Sequence, residues 1–79
     1  MSIESTDVIE LKKIIIEKRF YKINALAKAS GVTCMTLRSI LHGKSQPSYA
    51  VMKKLITTLD IPAAKAGEIF FKTNLHNSQ

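Results

Sequence analysis

Apolar residues recur at helical spacing along the whole chain, and backbone breakers cut that pattern into short pieces. Val8, Leu11 and Ile15 fall at i, i+3 and i+7, with Ile14 beside them. Leu26, Leu37 and Ile40 continue the pattern, then Val51, Met52, Leu55, Ile56 and Leu59, then Ala63, Ala66, Ile69 and Phe70. The breaks fall at Gly31, at Gly43 with Pro47, and at Asp60-Ile61-Pro62. No stretch alternates with period two between turn residues, so strands are not expected. The pattern predicts an all-α domain of five short helices with no sheet.

Local signals set the expected boundaries. Asp7 caps a first helix over residues 7–19, with Glu10 at capping-box spacing. Lys18 and Arg19 close it, where cations favour the helix dipole. A second helix spans residues 24–30, capped by Asn24 or begun earlier from Lys22. Gly31 stops it, because glycine tolerates the left-handed conformation. Thr33 caps a third helix over residues 34–41, and Ser48 caps a fourth. Pro62 suits the first turn of a fifth. The expected organisation is an arm over residues 1–6, one domain over 7–73 and a tail over 74–79.

At 79 residues the chain supports one domain. One cysteine excludes an intrachain disulfide, so the reading is a reduced, cytoplasmic protein. No apolar run approaches the roughly 18 residues of a membrane span, and the opening residues have no basic leader segment. The charge is uneven. Between Leu11 and Leu59 ten basic residues face one acid, Glu17, for a net +9, while the two ends together carry −3. A basic middle in so small a domain points to a polyanion. The competing reading is a lysine-rich solvated surface, which Lys12, Lys13, Lys53 and Lys54 fit.

The stretch Leu26-Ala27-Lys28-Ala29-Ser30-Gly31-Val32-Thr33, followed by Leu37 and Ile40, is the most informative. Two short helices joined by a tight turn need a small residue where they cross, Ala27, and a glycine at the turn, Gly31. These spacings resemble the helix-turn-helix of the lambda-repressor-like family, which includes phage repressors and Cro-type proteins. Thr33 stands where that family caps its recognition helix, and Gly43 at its post-helix glycine. Pro47-Ser48 and Leu55 to Ile61 resemble the opening and close of its fourth helix. The ending Glu68-Ile69-Phe70-Phe71 looks like small regulators of phages and other mobile elements. The resemblance covers about residues 8–72. It departs at Ile23, where many relatives carry a phosphate-contacting glutamine. It departs also at Ile16 and Leu41, where many carry an Arg–Glu pair. Both charges are replaced, which reads as a mutual apolar contact.

The resemblance implies a sequence-specific regulator of double-stranded DNA that works as a homodimer. The alternative is an antirepressor of the same fold that binds a partner repressor. On a helical wheel Thr33, Leu37, Ile40 and Leu41 point inward, and Met35, Arg38, Ser39 and His42 outward. The base-reading candidates are Thr33, Cys34, Met35, Thr36, Arg38 and Ser39. Arg38 suits a guanine edge or a phosphate, and Met35 suits thymine methyls. Cys34 is a poor hydrogen-bond reader and fits a half-buried apolar residue as well. The phosphate candidates are Lys22, Asn24, His42, Lys44, Ser45, Gln46, Ser48 and Tyr49. Ile69 and Phe71 are the candidates for a dimer or partner interface, with Ile69 also readable as core. The carboxylates form no catalytic pair, and no nucleophile–base motif is present, so an enzyme is not expected. No metal-ligand spacing occurs, and no cofactor is expected.

Overall fold

The computed structural model describes residues 4–73. The expected tail at 74–79 and the first three residues of the arm lie outside them. Among the described residues the chain forms five helices: α1 (Val8–Glu17), α2 (Ile23–Ser30), α3 (Cys34–Leu41), α4 (Tyr49–Leu59) and α5 (Ala63–Phe70). Helix α2 packs on α3 and α4, and α1 packs on α3 and α5. Leu11, Leu26, Leu37, Ile40, Leu55, Leu59, Ile69 and Phe70 are each almost wholly buried in one shared core. Burial of one such side chain is worth about 1.5–3 kcal/mol, so the core dominates the stability of the domain.

Side-chain oxygens cap three helices. The side chains of Asp7, Thr33 and Ser48 accept the N–H of Glu10, Thr36 and Val51, each at 3.2 Å. Glu10 does not complete a capping box; its carboxylate instead pairs with Lys65 on α5 at 3.2 Å. That hydrogen bond, with the charge of Glu10, raises the Lys65 ammonium above its usual range. Helix α2 starts from Lys22 without a side-chain cap, so Asn24 lies inside the first turn.

The helix ends hold a regularity the sequence does not advertise. After α1, Arg19 adopts a left-handed backbone, φ 68°, and Phe20 N–H reaches back to the Ile15 carbonyl at 3.1 Å. After α4, Asp60 does the same at φ 53°, and Ile61 N–H reaches Ile56 O at 3.0 Å. After α3 the left-handed residue is Gly43, and Lys44 N–H reaches Ser39 O at 2.9 Å. All three are Schellman-type closures, and only one uses glycine. At the other two, an apolar residue follows the strained one and packs into the core, Phe20 partly and Ile61 almost fully. That burial offsets the local strain.

Two expectations need correction. The all-α body carries one small addition, a two-residue antiparallel pairing of β1 (Glu4–Ser5) with β2 (Lys72–Thr73). It forms because Asp7 N–H donates to Ile69 O at 2.6 Å and Asp7 pairs with Lys72 at 3.4 Å. These contacts lay the two chain ends side by side, and a pairing this short leaves no periodicity in the sequence. Residues 4–6 of the expected arm are therefore held against the domain. Ile16 is 58% exposed, so it forms no buried contact with Leu41, which packs at the edge of the core. Helix α1 turns Leu11, Ile14 and Ile15 inward and leaves Ile16 on its outer side.

Candidate nucleic-acid interface

The centre of the site is the turn from α2 to α3. Gly31 ends α2 in the left-handed region at φ 77°, with its N–H bonded to Ala27 O at 2.8 Å. Ser30, buried beside it, donates its hydroxyl to Leu26 O at 2.7 Å and accepts Val32 N–H at 3.2 Å. Val32 then enters the core and Thr33 starts α3. Four consecutive residues, Ser30 to Thr33, thus close one helix, turn the chain and aim the next. Ala27, at the crossing, is half-buried against the core.

Helix α3 buries Leu37 and Ile40 and turns its other side to solvent. Met35 is 81% exposed, and Arg38 and His42 are exposed with it. Thr33 was expected to point inward but is exposed, because a cap residue leaves the helical backbone and the wheel does not apply to it. Its hydroxyl donates to Thr36 Oγ1 at 2.9 Å, so the two threonines fasten the first turn to itself. Cys34 is half-buried, and its Sγ–H donates to Asn24 Oδ1 at 2.9 Å, joining the first turns of α2 and α3. This bond leaves the Asn24 amide nitrogen as the remaining donor group of that side chain. Ser39 is half-buried, with its hydroxyl 2.8 Å from that of Ser45 in the following loop.

The cationic and polar candidates surround this helix. Lys22 and Asn24 sit at the start of α2, and Lys44 and Ser45 on the loop after α3; all are exposed. Ser48 uses its hydroxyl as the α4 cap. Tyr49 is 74% exposed, with Lys53 Nζ 5.6 Å from its ring centroid. From Lys18 to Leu59, which takes in α2, α3, the loop and α4, there is no carboxylate side chain. A phosphate backbone laid along α3 meets no anion from any of these elements, while eight Lys and Arg residues lie within the same span.

Other candidates fall elsewhere. Gln46 is engaged at both ends of its amide, to Phe70 O at 2.7 Å and to the Thr6 hydroxyl at 2.8 Å. Ile23, at the position of the missing glutamine, packs against the core. Ile69 has no exposed surface and is core, which removes it from any partner-facing surface; Phe71, 48% exposed, is left alone there. Phe71 borders a shallow groove with Ala64, Gly67 and Glu68. Sequence reasoning overlooked Ser30 and Thr6. A serine one residue before a helix-ending glycine was the available signal for Ser30; Thr6 had none. Among the described residues no group of three His, Cys, Asp or Glu could hold a metal ion, and no helix is long and apolar enough to cross a membrane.

Two short helices locked at a glycine turn, the second with an exposed face in an acid-free surround, define a helix-turn-helix domain. A family model described as Helix-turn-helix matches residues 11–65. The chain belongs to that lambda-repressor-like family and is a DNA-binding regulator of the general Cro/repressor type. No curated protein and no solved structure matches it.

Proposed function

We propose that this chain is a sequence-specific transcriptional regulator of double-stranded DNA, of the small Cro/repressor kind carried by phages and mobile elements. It acts in the cytoplasm as a homodimer, with Phe71 at the subunit contact. Helix α3 enters the major groove. Arg38 reads a guanine edge or clamps a phosphate, and Met35 packs on thymine methyls. Lys22, Asn24, Lys44 and Ser45 hold the phosphates on either side, and the first turn of α4 adds backbone donors near Tyr49. The observation that carries this reading is the absence of any carboxylate from Lys18 to Leu59 around an exposed third helix. A second reading, an antirepressor that docks on a partner repressor, draws support from Met35. It is 81% exposed where a hydrogen-bonding reader is the more useful residue.

The test is affinity for duplex DNA as a function of salt. Three cations at the face, Lys22, Arg38 and Lys44, give an expected log–log slope of roughly −3 per domain. Affinity that stays flat from low to physiological salt rules the reading out.

A further inference from the structure

The last carbonyls of α5 have no partners within their own helix. Two distant segments supply them. Asp7 N–H takes Ile69 O at 2.6 Å, and Gln46 Nε2 takes Phe70 O at 2.7 Å. A carbonyl only accepts, so the amide nitrogen of Gln46 must face Phe70, and its oxygen is left for the Thr6 hydroxyl at 2.8 Å. Gln46 thus joins the arm, the end of α5 and the loop between α3 and α4. On its other side that loop is tied to the third helix, through Ser45 to Ser39 at 2.8 Å and through Lys44 N–H to Ser39 O at 2.9 Å. Pro47, next along, is buried. Lys44 and Ser45 therefore sit on a short irregular segment clamped at both ends.

We propose that Gln46 is a positioning residue for DNA binding. It holds the loop so that Lys44 and Ser45 meet phosphate already ordered, and it does not touch the phosphate itself. The inference rests on the reading of this loop as a phosphate contact. An irregular segment loses conformational freedom when it binds, and a loop fixed beforehand avoids that penalty. Gln46 is exposed, yet both polar ends of its side chain already have partners within the chain, which is the arrangement a strut needs and a direct reader does not.

The experiment titrates the full chain against a short random-sequence duplex over a salt series, because phosphate contacts are sequence-independent. Gln46→Met keeps the length of the side chain and removes both hydrogen bonds. Its affinity at low salt should fall about tenfold, the worth of one to two net hydrogen bonds. Its log–log slope should become shallower by about 0.9, one phosphate contact, although no charge was removed. Lys44→Ala should show the same change of slope, and adding Gln46→Met to it should cost little more. Thr6→Val, which breaks only one of the two bonds and leaves the core untouched, should reproduce part of the loss. An unchanged slope, with the affinity loss undiminished in the Lys44→Ala background, shows that Gln46 contacts DNA directly and overturns the proposal. A lowered melting temperature with unchanged affinity and slope also overturns it, since the tie is then only structural. A silent Lys44→Ala refutes the loop as a phosphate contact, and no binding by the parent chain refutes the DNA reading itself.

Discussion

Gly31→Ala tests why the turn between α2 and α3 needs glycine. Two reasons are available. The helices approach too closely for a side chain, or the backbone angle excludes one. A Cβ built at Gly31 meets no atom within 4 Å, so close approach is not the reason. The φ of +77° is. A left-handed backbone costs an L-residue about 1–2 kcal/mol. Alanine also restricts the unfolded chain, which offsets about 0.4–1 kcal/mol of that. The expected net loss is about 1 kcal/mol, or about 4–8 °C in melting temperature for a domain of this size. Asparagine, which tolerates this region, should lose less, and β-branched valine more. Thermal and urea unfolding measure the series, and the urea m-value should not change. DNA affinity well below the melting temperature should survive in Gly31→Ala, because Ser30 and Val32 still direct the chain. A loss above about 3 kcal/mol for alanine refutes the reasoning, since only a steric clash or a rearranged turn reaches that size.

Two further expectations concern the faces of α3 and α1. Arg38→Ala should weaken DNA binding by about 1–3 kcal/mol and relax specificity at one base position; Met35→Ala should cost less, and mainly at an A·T pair. The reverse order, with partner binding lost on Met35→Ala and DNA retention untouched by Arg38→Ala, favours the antirepressor. On α1, Ile15→Ala should destabilise by about 2–4 kcal/mol and Ile16→Ala by less than about 0.5 kcal/mol. A double-mutant cycle of Ile16→Arg with Leu41→Glu should show no coupling, and a coupling above about 0.5 kcal/mol means that the two side chains meet after all.

The sequence by itself determined the number of helices and most of their starts. Asp7, Thr33 and Ser48 cap where local chemistry says they should, because a cap is a contact between residues three apart and needs nothing from the rest of the fold. Gly31 and Gly43 mark their turns for the same reason, since φ is a property of one residue. The outward run of Met35, Arg38 and His42 follows from the 3.6-residue period once Leu37 and Ile40 are inside. What only the tertiary structure decided are the contacts between residues distant in sequence. Arg19 and Asp60 take left-handed angles because Phe20 and Ile61 behind them find places in the core; aspartate tolerates that region, but no property of an arginine foretells it. Ile16 faces solvent and Ile69 is sealed inside because neighbouring helices choose which side of a uniformly apolar run they cover. Gln46 reads as a free surface amide; in the fold it stays exposed but is tied to Thr6 and Phe70, 40 and 24 residues away. Hydrogen bonds of that span carry no local signature; they exist only once the core has placed both ends.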